Sequence, residues 1–180
     1  WDNQTYYTTT FGQAFTVTPT QVLSVFQTIA NGGVRLPASL VESCTQADGT
    51  VTTPDEPDPV QVIKPDTAAQ VSQMLENVYA QGTLAADINI PGYRLAVKTG
   101  TAQVPDGNGG YKDGLYMTSL AGFAPADDPQ YVVLTLFDEP KTNTMSSANR
   151  SVFKKAMTQV LTHYRVMPSN SATPLLPVMY

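Results

Sequence analysis

Two apolar segments joined by a short turn constrain the fold of this chain more than any other feature. Residues 116–124 have the composition of a β-strand, and Tyr131 to Phe137 form a near-continuous apolar run. Between them, the segment from Pro125 to Pro129 combines proline with aspartate, two residues typical of turns. Strand, turn and strand predict a β-hairpin, and therefore an antiparallel sheet.

A third strand is predicted before this hairpin. Tyr93, Leu95 and Val97 alternate with Arg94, Ala96 and Lys98, which is the side-chain period of a strand. The glycine-rich segment from Pro105 to Gly114 is predicted to be a loop. Further upstream, two shorter runs rich in threonine and valine flank a turn at Asp48-Gly49.

Three helices are predicted over residues 19–31, 65–81 and about 147–164, where apolar residues recur at helical spacing. Thr18 is the expected N-cap of the first helix, and Pro19 and Pro65 suit a first helical turn. Gly32 and Gly82 follow the predicted helix ends. The side chains expected to face the core are Val22, Leu23, Val25, Phe26, Ile29, Ala68, Val71, Met74, Leu75, Val78, Tyr79, Val152, Phe153, Ala156, Val160 and Leu161.

The elements therefore run helix, short strands, helix, three strands, helix. This order predicts an α+β fold in which an antiparallel sheet is flanked by helices. We expect residues 1–167 to form one portion of a domain, followed by a loosely attached, proline-containing tail over residues 168–180.

Composition excludes several classes of function. The net charge is −5, the pI is about 4.6 and the ten basic residues are scattered, so a nucleic-acid partner is not expected. No run of 18 apolar residues and no signal peptide is visible, and the chain opens at Trp1, which leaves open that it is a piece of a longer protein. Cys44 is the one cysteine and is expected to be a small, half-buried side chain. His163 is the one histidine, near the end of a predicted helix, so neither a zinc site nor any other metal site is expected.

One short motif carries chemistry, the run Lys98-Thr99-Gly100-Thr101-Ala102-Gln103. Strand alternation is expected to place Lys98 and a second polar side chain on one face, toward a cleft. Gly100 leaves room for the close approach of a substrate backbone. A lysine ammonium and threonine hydroxyls can hold a carboxylate, and a strand with free backbone groups can bind a peptide as an added strand. Three residues alone have low specificity.

The segments around this motif give it a context. Lys98-Thr99-Gly100 matches the K-T-G signature of the serine penicillin-recognising enzymes. The flanking segments resemble those of class B penicillin-binding proteins, in the same order, from about Phe11 to Tyr164: Phe11-Gly12-Gln13, Thr18-Pro19-Thr20-Gln21, Ala30-Asn31-Gly32-Gly33, Ala121 to Pro129 and Asp138-Glu139-Pro140. Ala102-Gln103 favours class B over the bifunctional class A enzymes, and the opening stretch is most similar to septal transpeptidases of high-GC Gram-positive bacteria.

The resemblance implies a function for a longer parent protein. The parent would cross-link peptidoglycan stem peptides outside the membrane through an acyl-serine intermediate, bind β-lactams and need no cofactor. Lys98 would help organise the proton network and the substrate carboxylate, and Thr99 and Thr101 would hydrogen-bond that carboxylate. The backbone N–H of Thr101 would be one of two oxyanion-hole donors. Gln103 would follow on the same strand, with a less defined role. The resemblance also implies a parent anchored in the bacterial membrane by an N-terminal segment, acting with other division or cell-wall synthesis proteins.

The chain departs from the family because no S-x-x-K or S-x-N precedes Lys98. Ser151-Val152-Phe153-Lys154 and Ser147-Ala148-Asn149 match these motifs by spacing but follow Lys98, the reverse of the family's order. We interpret both as chance matches, with Ser146 or Ser147 as a helix N-cap and Lys154 as a surface residue. The nucleophile is then expected upstream, and this chain is expected to be inactive alone.

Two other functions stay open from the sequence. One is a non-catalytic module that uses the same fold to hold peptidoglycan or a division partner. The other is a hydrolase of the same superfamily, a carboxypeptidase or a β-lactamase. If half of the domain lies outside this chain, apolar helix faces would be left uncovered, and the piece made alone would self-associate or adopt a rearranged fold.

Overall fold

A computed structural model of the protein describes residues 3–10, 12–13, 15–55, 57–141, 149–169 and 172–177. The helices are α1 Asn3–Thr9, α2 Pro19–Ala30, α3 Pro65–Gln81, α4 Leu84–Ile88 and α5 Arg150–His163. The strands are β1 Val34–Arg35, β2 Cys44–Thr45, β3 Val51–Thr52, β4 Val60–Gln61, β5 Ala96–Pro105, β6 Tyr111–Ala124 and β7 Tyr131–Asp138. The predicted α+β class is confirmed. Among the described helices, none is long and apolar enough to cross a membrane.

The central sheet has the strand order β5-β6-β7, with both pairs antiparallel. The predicted hairpin is therefore confirmed as β6 and β7. The third strand differs from its prediction, because it begins at Ala96 rather than Tyr93 and continues to Pro105. The loop predicted over residues 105–114 is shorter than expected, because β5 ends at Pro105 and β6 already starts at Tyr111.

A turn built around Asp106 closes the long arm formed by β5 and β6. Its carboxylate accepts hydrogen bonds from the backbone N–H groups of Asn108 and Gly110, at 2.8 and 2.9 Å. These two bonds stabilise the charged form and hold the pKa of Asp106 below its ordinary value. The aspartate thereby orders the glycine-rich segment as a tight turn, so that the two strands can extend on either side of it.

Apolar side chains pack on both faces of the sheet. On one face Val97 and Leu120 lie with Phe153, Met157 and Leu161 of α5. On the other face Ala96 and Phe123 lie with Leu75 of α3 and, half-buried, Phe26 and Ile29 of α2. The sheet is thus the middle layer between α5 on one side and α2 with α3 on the other.

Helices α2 and α3 begin at Pro19 and Pro65, as predicted. Thr18 caps α2 in a capping box: its Oγ1 accepts from the Gln21 backbone N–H at 3.2 Å, and its own N–H donates to the Gln21 side chain at 2.8 Å. α5 begins at Arg150, about three residues later than predicted, with Asn149 as its N-cap. The predicted caps Ser146 and Ser147 lie outside the described residues.

Four side chains predicted to face the core are exposed instead, namely Val25, Met74, Val78 and Val152. On α3, two polar residues, Glu76 and Asn77, are buried in their place. Each has partners that a helical wheel does not reveal. Glu76 pairs with Arg94, and the Asn77 amide donates to the Pro174 carbonyl at 3.1 Å and accepts from the Leu176 N–H at 2.7 Å.

The C-terminal tail is more firmly attached than predicted. The Ser169 hydroxyl accepts from the backbone N–H of Arg94 at 3.0 Å and donates to the Asp127 carboxylate at 2.7 Å. The Ser169 N–H donates to the Gly92 carbonyl at 2.8 Å. For the described part of residues 168–180, the expectation of a loose tail is therefore wrong, because proline content does not reveal hydrogen bonds to distant side chains.

The upstream hairpin of β2 and β3 forms around Asp48-Gly49 as predicted, with Cys44 opposite Thr52. Cys44 is exposed, so the prediction of a half-buried side chain is wrong. Among the described elements its short strand contacts only β3 and no helix, so its side chain stays in solvent. His163 lies in the last turn of α5, as predicted, with its ring edge-on to that of Tyr164.

Candidate active site

The segment from Lys98 to Gln103 lies on β5, an edge strand of the sheet. Its register with β6 is continuous here: Lys98 pairs with Ala121, Gly100 with Ser119 and Gln103 with Tyr116. Only one side of β5 pairs with another strand, so alternate backbone N–H and C=O groups along the other side have no ladder partner within the described sheet. Such an edge can accept an extended peptide.

Strand alternation divides the motif between the two faces of the sheet. Lys98 and Gly100 share the face of Ala96, on which α2 and α3 pack. Thr99 and Thr101 share the face of Val97, on which α5 packs. Gln103 lies on this second face as well. The expectation that Lys98 and a second polar side chain of the motif share one face is therefore wrong, since the even-numbered neighbours are Gly100 and Ala102.

The base of the motif is rigidly packed. Leu95, Ala96 and Val97 have no solvent exposure, and α3 packs against β5 through Leu75 on one face and Tyr79 on the other. From Lys98 onward the strand emerges from this packing: Lys98 is exposed, and Thr99 and Gly100 are half-buried. The motif residues of β5 thus continue a strand whose start is fixed by packing.

The Lys98 ammonium reaches solvent on the edge strand, as the motif requires. Its Nζ donates to the carbonyl oxygen of Thr99 at 3.0 Å, and it forms no ion pair within the described part of the chain. A cation that is exposed and paired only with a neutral carbonyl can turn to an incoming carboxylate without breaking an ion pair.

Gly100 lies close to the Ser119 side chain of β6. A Cβ added at this position would come within 2.5 Å of the Ser119 Oγ. Because glycine has no side chain, this face of the strand stays open next to the Lys98 side chain. The hydroxyls of Thr99 and Thr101 have no hydrogen-bond partner among the described residues and can act as donors and acceptors. Together these groups provide a positive charge, two hydroxyls and an open strand edge, which suit a peptide ending in a carboxylate.

The two chance motif matches lie elsewhere. Ser151 is exposed and Lys154 half-buried on α5, the helix that packs on the face opposite to Lys98. Ser147 and Ala148 lie outside the described residues. No described serine is placed where Lys98 could activate it as a nucleophile through a recorded hydrogen bond.

A cavity of about 480 Å³ lies between α2 and α3, away from the motif. Glu76, Arg94, Ala126 and Pro174 are among its lining residues. Its two charged side chains are already paired, because Arg94 donates to both carboxylate oxygens of Glu76, at 2.7 and 2.8 Å. This cavity therefore belongs to the packing of the helices and not to the candidate site.

Sequence reasoning found the motif strand but missed two polar contacts beside it. One is the ion pair of Glu76 with Arg94, at the start of the strand. The other is the hydrogen bond from Asn149 to Thr118, whose register partner on β5 is Thr101. Both join residues far apart in the chain, and no local pattern signals either of them.

Known proteins share both the sequence and the fold. Residues 1–158 match the penicillin-binding protein transpeptidase domain. Penicillin-binding protein PbpB of Mycobacterium tuberculosis is 36% identical over 159 residues, which cover 84% of this chain and 23% of that protein. Peptidoglycan D,D-transpeptidase FtsI of Buchnera aphidicola is 30% identical over 171 residues, which cover 93% of this chain and 28% of that protein.

A solved structure agrees over almost the whole chain. Penicillin-binding protein 3 of Mycobacterium tuberculosis, complexed with aztreonam, superposes with a TM-score of 0.86 at 31% identity, over 99% of this chain and 42% of that one. The chain spans about a quarter of the length of the two relatives above. The matched family, the sequence identity and the superposition agree, and the chain belongs to the penicillin-binding protein transpeptidase domain family.

Proposed function

We propose that this chain supplies the substrate-binding strand of a peptidoglycan D,D-transpeptidase of the class B type. The observation that carries the proposal is the edge strand itself, on which an exposed Lys98 is followed by Gly100 and flanked by two threonines whose hydroxyls have no partner in the described part of the chain. A relative from Buchnera aphidicola bears the name of this activity, and aztreonam binds a protein of the same fold. Both facts favour a donor peptide, or a β-lactam in its place, as the ligand.

The reaction assigns a role to each residue of the strand. A serine outside this chain attacks the carbonyl of the D-Ala-D-Ala bond, forms an acyl-enzyme and releases the terminal D-Ala; an acceptor amine then takes the acyl group and frees the serine. Lys98 helps organise the proton network and the carboxylate of the donor, and the hydroxyls of Thr99 and Thr101 hydrogen-bond that carboxylate. The backbone N–H of Thr101 donates to the oxyanion as negative charge develops. Gln103 lines the strand beyond it.

The cellular setting follows from this activity. Peptidoglycan is assembled outside the membrane, so the protein acts on the extracytoplasmic face, anchored by a segment that precedes this chain. Its partners are other division or cell-wall synthesis proteins. The exposed side chains of Val25, Met74 and Val78 on α2 and α3 support the expectation that this chain self-associates when it is made alone.

Labelling by a fluorescent penicillin, read on a denaturing gel, tests the proposal. We expect no covalent label on the 180-residue chain, and a label on a longer protein that includes the preceding segment. In the longer protein, Lys98→Ala should abolish labelling, while the control Lys155→Ala, an exposed lysine on α5, should leave it unchanged.

Each outcome has a distinct meaning. If the longer protein is not labelled, the chain belongs to a non-catalytic module of the same fold. If Lys98→Ala labels as fast as the unsubstituted protein, the motif strand is assigned wrongly. A label on the 180-residue chain that is lost on Ser151→Ala would mean that the S-x-x-K match on α5 is the real nucleophile.

A further inference from the structure

A fully buried polar side chain lies where the start of α5 meets the sheet. Asn149, the N-cap residue of α5, has no solvent exposure, and neither has Thr118 on β6. The Asn149 Nδ2 donates to the Thr118 Oγ1 at 2.8 Å. This bond links the start of the helix directly to the middle strand of the sheet.

The arrangement is unfavourable by the usual rules of stability. Asparagine is among the best N-cap residues, but the Asn149 side chain makes no capping hydrogen bond. Its Oδ1 is buried and has no hydrogen-bond partner in the described part of the chain. An unpaired buried acceptor lowers stability, whereas a small apolar residue here would leave none. Residues that break such local rules concentrate at functional sites.

The position of Thr118 in the sheet relates the bond from Asn149 to the threonines of the motif strand. In the sheet register Thr118 stands opposite Thr101, and two residues further along Leu120 stands opposite Thr99. The side chains of Thr118, Thr101 and Thr99 therefore share the α5 face of the sheet. Because β5 is an edge strand, its position beyond Val97 depends on its pairing with β6. The bond from Asn149 is made to the β6 residue that stands opposite Thr101.

We propose that Asn149 is a positioning residue for the carboxylate-binding threonines of β5, acting through Thr118. This inference rests on the proposed function, because it takes Thr99 and Thr101 as the carboxylate ligands. Asn149 itself does not touch the substrate. By holding the Thr118 hydroxyl in one rotamer, it fixes the packing against which the Thr101 side chain and backbone N–H are set.

The test compares penicillin G with its methyl ester, which lacks the free carboxylate, as acylating agents of the longer protein that includes this chain. For each, the second-order acylation rate constant is measured, and the ratio of the two constants reports how well the carboxylate is held. Asn149→Ala removes the donor and Thr118→Val removes the acceptor at nearly constant shape. Each should lower the ratio about tenfold, the effect of losing roughly one hydrogen bond.

Three further variants separate positioning from mere stability. Thr118→Ser keeps the hydroxyl and should retain the ratio within about twofold, and the double variant Asn149→Ala/Thr118→Val should lose no more than either single one, because both remove the same bond. Val160→Ala, half-buried near the other end of α5, loosens the helix without touching the bond and should leave the ratio unchanged.

A ratio in Asn149→Ala and Thr118→Val equal to that of the unsubstituted protein would overturn this inference alone. So would an equal fall in Val160→Ala, since any loosening of α5 would then suffice. Failure of the unsubstituted protein to react with penicillin G would overturn the proposed function, and this inference with it.

Discussion

Replacing Glu76 by glutamine tests whether the motif strand is held at its start by a buried ion pair. The Glu76 and Arg94 side chains are only 4% and 13% exposed, and two hydrogen bonds of 2.7 and 2.8 Å join them. Asp127 adds a second carboxylate at 3.7 Å from the guanidinium. The hydrogen bond to Glu76 is the main cause that raises the pKa of Arg94, so this guanidinium stays charged.

The magnitude follows from this geometry. Removing one partner of a buried ion pair costs about 3–5 kcal/mol, because the other charge stays buried without compensation. Here Asp127 still faces Arg94, so we expect a value at the lower end, about 3 kcal/mol. An exposed pair such as Lys112 with Glu139, whose side chains are 43% and 35% exposed, should contribute less than about 1 kcal/mol.

Urea unfolding of the 180-residue chain, followed by circular dichroism at 222 nm, measures the difference. With a slope of about 2 kcal/mol per molar urea, Glu76→Gln should lower the midpoint by roughly 1.5 M. The control Glu139→Gln should lower it by less than about 0.5 M, and only this smaller effect should shrink in high salt. If Glu76→Gln and Glu139→Gln cost the same, the buried pair does not hold the strand, and the reasoning is refuted.

Two further predictions concern packing and pH. Gly122→Ala should lower the free energy of unfolding by about 1–3 kcal/mol, because its Cβ would come within 2.5 Å of both the Ala96 carbonyl oxygen and a Val97 methyl group. Gly100→Ala should cost less, since its Cβ meets only a Ser119 hydroxyl that can rotate away; equal urea midpoints for the two variants would contradict this reading. Burial raises the pKa of Tyr79 above its ordinary value of about 10, so the unfolded chain loses this proton first and stability should fall as the pH rises through and above 10. In urea unfolding between pH 9 and pH 11, Tyr79→Phe should lose less stability than the unsubstituted chain. Tyr7→Phe, a control at an exposed position, should lose as much as the unsubstituted chain. An identical pH dependence of stability in both variants would contradict the role of Tyr79.

Local sequence patterns were sufficient for the elements that local physics determines. The helices α2 and α3 begin at prolines, and the capping box of Thr18 with Gln21 involves residues only three positions apart. The hairpin of β6 and β7 follows from two apolar runs and the turn between them. In each of these, the residues that decide the structure lie within a few positions of one another.

Other features depend on contacts that no local pattern reveals. Met74 and Val78 fit a helical apolar stripe but are exposed, because Glu76 and Asn77 are buried against Arg94 and the C-terminal tail instead. The extension of β5 beyond Thr99 depends on its pairing with β6 and on the turn that Asp106 orders. The motif itself could be found, but the division of its side chains between two faces required the register.

That division explains how an edge strand can be both open and precise. Residues 95–97 have no exposure and are held on both faces, so the strand enters the site in a fixed direction. Beyond them, Lys98 and Gly100 turn toward one face while Thr99 and Thr101 turn toward the other. Under the proposed function, a carboxylate beyond the free edge would be approached by the ammonium from one side and by the hydroxyls from the other, without any group having to reach across the strand. Such a clamp keeps its geometry only if the strand does not twist about its own axis. We expect the ion pair at Arg94, before the strand, and the Asn149–Thr118 bond, on the neighbouring strand opposite Thr101, to oppose that twist.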